Sequence, residues 1–177
     1  MIYFVRHGES EANEKGIFAG QKEDSILNQK GKNQAKDTAL IIKNKNLSID
    51  RIISSPLKRT IETSQIIAKE INFDISKIEI DNRITEYDMG SLTGTPIKKI
   101  SSLVLVDAQN AEDVEMFLER VHECLKEISS SDQNILLVSH AGVGRILEVI
   151  KNNINPKLFY DIGAYPNASV HLINWIK

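Results

Sequence analysis

Apolar residues follow two rhythms along this chain. Short, nearly continuous runs occupy Met1-Ile2-Tyr3-Phe4-Val5, Asp50 to Ser54 and Asn134 to Ser139. Such runs predict strands, and the last reads as buried on both faces, as parallel strands are. Further strands are predicted at Lys77 to Ile80 and Ala168 to Ile176. Between them the spacing turns helical. Asn28 suits an N-cap, and Ala35, Ala39, Leu40 and Ile42 recur to about Lys45. Ser55-Pro56 reads as a helix start, with Ser at the cap and Pro at the first helical position, followed by Ile61, Ile66, Ile67 and Ile71. Ala111 to Ser129 carries Val114, Phe117, Leu118, Val121, Leu125 and Ile128 on one stripe. Gly142 to Asn152 is helical, with Ile146, Leu147, Val149 and Ile150 for packing. Glu9 to Lys15 reads as a short helix or loop, Asp81 to Pro96 as a loop, and Ser101 to Asn110 has no clear pattern.

Strands alternating with helices predict an α/β fold: a three-layer sandwich, mostly parallel sheet with helices on both faces. No repeat, low-complexity tract or linker divides the chain, so residues 1–177 are expected to form a single domain.

Composition narrows the function classes. At 41% hydrophobic and 26% charged residues the chain is of ordinary globular type. A net charge of −2 provides no basic excess for nucleic acid. No apolar run approaches the roughly 20 residues that span a membrane, and the first residues lack a signal-peptide pattern. The single cysteine, Cys124, allows no intramolecular disulfide and reads as a small apolar filler. These features imply a cytoplasmic protein.

The chemistry gathers at strand ends. The first strand stops at Arg6-His7-Gly8-Glu9-Ser10, the second leads to Arg59, the third towards Glu86, and the fourth ends on His140. If these strands run parallel, all four ends lie on one edge of the sheet, where ligands bind in open α/β folds. A neutral imidazole is a competent nucleophile, since its free pKa is about 6.5. Arg6, Arg59 and His140 would surround the electrophile with positive charge. That suits a phosphoryl group, whose oxygens repel nucleophiles until cations neutralise them and match the arginine fork in pairs. Phosphoryl transfer is then mainly positioning and electrostatics. Glu86 is the candidate acid for the leaving alkoxide and base for the incoming water. Two arginines beside these residues would repel a metal ion, so a metal-independent site without cofactor is expected.

Val5-Arg6-His7-Gly8-Glu9-Ser10 resembles the opening signature of the histidine phosphatase superfamily, the phosphoglycerate mutase-like proteins. Leu27 to Ala35, Ser54 to Thr63, Glu86 to Gly90 with Gly94, and Val138 to Gly142 resemble its later blocks in the same order. The resemblance implies that His7 becomes phosphorylated and that Arg6, Arg59 and His140 form the phosphate pocket. It implies Glu86 as proton donor, Asn13 reaching the phosphate and Gln21 at the substrate entrance. It also implies the phosphoglycerate mutase-like fold. Ala141 stands where a glycine is more usual, which is tolerated if the backbone there is not left-handed. The segment from Thr95 to Ala111 is short for a capping region, and the short tail after the last strand implies a phosphatase rather than a mutase.

The expected function is a metal-independent phosphomonoester hydrolase, of histidine acid phosphatase type, acting on a small phosphorylated substrate. Three alternatives stay open: a cofactor-dependent phosphoglycerate mutase, a non-catalytic binder, and a phosphohistidine-protein phosphatase. Retention of Glu86 argues against pure binding, which needs no proton donor. Gly142-Val143-Gly144 has the start of a dinucleotide loop, but Leu147 holds its third glycine position. His122 and His171 read as structural or surface residues, and Lys98 with Lys99 as a solvated pair. An exposed edge strand would allow a homodimer.

Overall fold

The structure, a computed structural model, describes residues 1–97 and 100–174. Lys98 and Lys99, and the end of the last predicted strand, lie outside the described residues. Five strands form one sheet: β1 (Ile2–Arg6), β2 (Arg51–Ser54), β3 (Glu79–Ile80), β4 (Ile135–Ser139) and β5 (Val170–Ile173), in the order β3-β2-β4-β1-β5. The first four run parallel, and β5 returns antiparallel beside β1. Six α-helices accompany them among the described residues: α1 (Glu11–Glu14), α2 (Gln29–Asn44), α3 (Lys58–Glu70), α4 (Ser102–Val106), α5 (Val114–Ser129) and α6 (Ala141–Asn152).

Alternation along the strands divides the core in two. Tyr3, Val5, Ile52, Leu136 and Val138 face one way and pack on Ala39 and Ile42 of α2 and Ile67 and Ala68 of α3. Ile2, Phe4, Ile53, Ile135 and Leu137 face the other way and pack with Phe117, Val121 and Leu125 of α5 and Ile146 and Leu147 of α6. This is the expected sandwich, with helices on both faces. Every residue of β4 is buried, since the strand lies inside the sheet and under helices on both sides. Cys124 is buried within this core, and burial pushes its thiol up to about 12.

Several local expectations change. Helix α3 begins at Lys58, not at Pro56, and its N-cap Leu57 supplies no side-chain bond. Asp24 does so from a distant loop, its Oδ1 accepting from the Lys58 peptide N at 2.7 Å. Ser55 instead continues the strand, its N donating to the Val138 carbonyl at 3.0 Å. Leu40 of α2 is exposed, and the buried face of α3 is largely Thr60, Thr63 and Ser64. Thr63 and Ser64 satisfy their hydroxyls on carbonyls one turn back (2.7 and 2.8 Å). A single 3-10 turn takes Ile75–Lys77, leaving β3 only two residues. The unpatterned stretch after Ser101 contains α4.

Candidate active site

Strand register assembles the site. Arg6 pairs with Ser139 across β1 and β4, and Ser54 pairs with Val138 across β2 and β4. The next residues, His7, His140 and Ser55, therefore meet at the carboxyl edge of the sheet. The two imidazoles stand edge to face with centroids 5.3 Å apart. The Ser55 hydroxyl lies 2.7 Å from His140 Nε2. His7 Nδ1 lies 2.7 Å from the Gly8 carbonyl, which can only accept, so Nδ1 carries the proton and Nε2 keeps its lone pair. Burial, with Arg59 and Arg6 nearby, pushes His7 well below the ordinary imidazole range. Burial and the same arginines push His140 down as well, with His7 and Arg120 adding to the effect. Both rings are neutral in the fold at neutral pH.

The turn that carries His7 is clamped from several sides. The Gly8 N donates to Thr63 Oγ1 (3.1 Å) and the Glu9 N to Gln34 Oε1 (2.8 Å). The His7 N donates to the Ser139 carbonyl at 2.9 Å. Asn167 Nδ2 donates to the His7 carbonyl at 3.0 Å. Gly8 and Gly31 permit the closest approach: a Cβ on Gly31 would stand 2.0 Å from the Glu9 carbonyl oxygen.

His7, Arg6, Arg59 and Glu86 line a cavity of about 220 Å³. Arg59, the second residue of α3, is almost fully buried, with Nη2 on the Gly20 carbonyl at 2.9 Å and Nη1 on that of Glu23 at 3.3 Å. Arg6 Nη1 donates to the Tyr165 carbonyl at 2.8 Å. The Nε atoms of both arginines, and His140 Nδ1, are buried with no hydrogen-bond partner among the described residues. Desolvation lowers both guanidinium pKa values, the mark of cations held in a poor solvent. A multivalent anion would supply the acceptors these donors lack. Asn13 also lines the cavity. Its Oδ1 accepts from the Ser10 N at 3.1 Å, so the amide's N–H groups are what it can offer to an anion.

Glu86 reaches the same cavity from the loop after β3. Its Oε1 accepts from its neighbour's N on Tyr87 (2.9 Å) and from the N of Gly142 (3.0 Å) at the start of α6. A methyl group on Gly142 would lie 2.2 Å from Oε1, so only glycine leaves the carboxylate there. Ala141, the first helical residue of α6, is not left-handed and takes the usual glycine's place without strain.

Arg120 and Arg145 were not singled out from the sequence. Arg120, on α5, donates to the carbonyls of Arg83 (2.7 Å), Thr85 (2.8 Å) and Glu86 (3.1 Å), and is held by Glu112. Gln21 does similar work: its Nε2 donates to the Glu86 carbonyl at 2.9 Å. Its amide is thus committed to the loop that presents Glu86. Arg145, on α6, lines the cavity with its Nε on the Ile162 carbonyl at 2.9 Å and its guanidinium over the Tyr160 ring at 4.4 Å. Periodicity sees both only as charges on helices. His122 is exposed and His171 stacks on Tyr165 at 3.8 Å; neither joins the site.

The buried neutral histidines couple stability to pH. In the unfolded chain they titrate near 6.5; in the fold their pKa values lie well below that. The unfolded state therefore binds more protons as pH falls, so stability is full above about pH 7 and is lost on acidification. With two such groups the slope approaches about 2.7 kcal/mol per pH unit. Urea unfolding at pH 7, 6 and 5 is expected to show a falling midpoint; a flat profile would contradict buried neutral imidazoles.

The profile of the histidine phosphatase superfamily (branch 1) matches residues 2–177, and the chain belongs to that family. Phosphoserine phosphatase 1 of Hydrogenobacter thermophilus is 29% identical over 187 residues, 98% of this chain and 85% of that protein. A 2,3-bisphosphoglycerate-dependent phosphoglycerate mutase of Thermoplasma acidophilum is 33% identical over 115 residues, 63% of this chain and 55% of that protein. The chain spans from 32% to 85% of the length of such curated relatives. Bacillus stearothermophilus YhfR superposes with a TM-score of 0.81 at 21% identity, over 99% of this chain and 92% of that one. That likeness agrees in fold. No helix among the described residues is long and apolar enough to cross a membrane.

Proposed function

We propose that the chain is a phosphomonoester hydrolase that works through a phosphohistidine on His7. The observation that carries this reading is one cavity holding a neutral His7, buried guanidinium groups and the Glu86 carboxyl. Arg6 and Arg59 bind the phosphoryl oxygens, and Asn13 adds an amide donor. His140, braced by Ser55, stands beside His7 as a further contact for the phosphoryl group. His7 Nε2 attacks phosphorus, and the bond from phosphorus to the alcohol oxygen breaks. Glu86, protonated in this step, gives its proton to that oxygen. In the second step a water attacks the phosphohistidine. The Glu86 carboxylate takes the water's proton, the P–N bond breaks, phosphate leaves and neutral His7 returns. The cationic walls supply the charge stabilisation a metal would otherwise provide and oppose a metal's approach, so turnover should resist a chelator.

The resemblance to a mutase keeps isomerisation as the second reading. Phosphate release from a panel of phosphomonoesters, with a chelator present, tests the first. The panel includes 3-phosphoglycerate with 2,3-bisphosphoglycerate, followed for isomerisation too. Isomerisation without net phosphate release would replace hydrolysis with the mutase reaction.

Glu86→Gln separates the acid role from binding. Its loss is expected to be roughly 10²- to 10⁴-fold on alkyl phosphates, the range of general acid catalysis, and far smaller on activated aryl phosphates whose phenolate leaves unaided. Equal losses on both would remove the proton-donor role.

A further inference from the structure

Two neutral imidazoles stand beside one phosphoryl position, and they cannot meet it in the same way. His7 Nδ1 donates to the Gly8 carbonyl at 2.7 Å, so its Nε2 shows the phosphorus a lone pair. A second lone pair, aimed at the phosphoryl oxygens, would repel them. His140 has to turn a proton to the anion, and as a neutral ring it carries only one. The group bonded to its other nitrogen decides where that proton sits.

That group is Ser55. Strand β4 lies between β2 and β1. Ser55 follows β2, His140 follows β4 and His7 follows β1. The Ser55 hydroxyl lies 2.7 Å from His140 Nε2 and has no other partner among the described residues. The two nitrogens of an imidazole point apart. Nδ1, buried and unpartnered, is therefore turned away from Ser55, to the side of His7. With the proton on Nε2, the Ser55 O–H would lack an acceptor and Nδ1 would face the anion with a lone pair. With the proton on Nδ1, Ser55 donates to Nε2 and Nδ1–H is left for a phosphoryl oxygen. Only the second arrangement pairs every polar group, and a buried donor left unpaired is costly. The serine is fixed for this task. It is fully buried, its N donates to the Val138 carbonyl at 3.0 Å, and its own carbonyl accepts from the Ser54 and Thr60 hydroxyls, each at 2.9 Å. We infer that Ser55 is a positioning residue that holds His140 as the Nδ1–H tautomer, making it a neutral hydrogen-bond donor to the phosphoryl group. The donor role rests on the phosphatase reading, which places the phosphoryl group there; the tautomer does not.

Long-range proton–nitrogen NMR correlations of the histidine rings at pH 7 test it, with His140 assigned by its absence in His140→Asn. In wild type, His140 Nδ1 is expected at the shift of a protonated nitrogen and Nε2 at that of a lone pair. In Ser55→Ala the pattern should be lost and the proton should move to Nε2. The same variant should weaken both the calorimetric affinity for inorganic phosphate and kcat/KM for p-nitrophenyl phosphate by roughly tenfold. Ser55→Cys, whose thiol donates weakly, should fall between. Melting curves confirm that the variants fold. A serine with a merely structural role would change Tm but neither the tautomer nor the phosphate affinity of the folded variant. Wild-type His140 protonated on Nε2 overturns the inference, even if Ser55→Ala does not fold. An unchanged tautomer or an unchanged phosphate affinity in folded Ser55→Ala overturns it too. If wild type hydrolyses no p-nitrophenyl phosphate, the phosphatase reading is what fails, and tautomer and phosphate affinity still decide the role of Ser55.

Discussion

Replacing His7 by alanine is expected to lower phosphate release by on the order of 10⁴-fold or more, the scale of removing a nucleophile that no other group replaces. No second group stands ready. His140 commits Nε2 to Ser55. The fold should survive. The backbone bond from residue 7 to the Ser139 carbonyl does not depend on the side chain, and the lost contact to the Gly8 carbonyl costs about 1 kcal/mol. Phosphate affinity should persist, because Arg6 and Arg59 remain. The measurement is phosphate release with a chelator present, beside calorimetric titration with inorganic phosphate. A variant retaining a tenth of wild-type turnover would remove the phosphohistidine mechanism, whereas retained binding without turnover agrees with it.

Gly31→Ala should produce the largest loss of stability. Its added methyl would stand 2.0 Å from the Glu9 oxygen, 2.7 Å from its nitrogen and 2.8 Å from its carbonyl carbon. All three are backbone atoms, so no side-chain rotation relieves the clash. Opening the contact would also strain the Gly8 approach, where a Cβ would meet the Gly31 oxygen at 2.4 Å, and the bond from the Glu9 N to Gln34. Overpacking of this kind costs about 3 kcal/mol or more, which for a chain of this size lowers Tm by roughly 6–12 °C. Because the displaced segment carries His7, activity should fall at temperatures where the variant is still folded. A melting temperature within about 2 °C of wild type, with full activity, would show that the turn and α2 are not held in this contact. Gly94 offers a control. It has a positive φ of 77° but nothing near its Cβ position, so Gly94→Ala should cost only backbone strain, about 1–2 kcal/mol.

The pattern of apolar residues determined by itself that the chain folds as an α/β sandwich, and where most strands and helices lie. Hydrophobic periodicity is a local record of which faces are buried, so β4, α5 and α6 could be read directly. The pattern also placed Arg6, His7 and His140 at strand ends and Arg59 at a helix start, because a polar residue that ends an apolar run stands out, and left Glu86 in the loop after the third strand. Tertiary structure alone decided what those residues touch. The parallel register of β1, β2 and β4 set His7 beside His140 and Ser55; pairing register depends on the whole sheet. Ser55 had every local mark of a helix cap, yet Asp24 caps α3 from a distant loop, since a helix start takes whichever acceptor the tertiary packing delivers. Nothing in the sequence showed that Glu9 and the Glu86 carboxylate occupy the places of the missing Cβ atoms of Gly31 and Gly142. Nothing local set Arg120 or Arg145 apart on their helices. Only packing turned one towards the backbone that presents Glu86 and the other into the cavity, because burial of a charge is decided by neighbours remote in sequence.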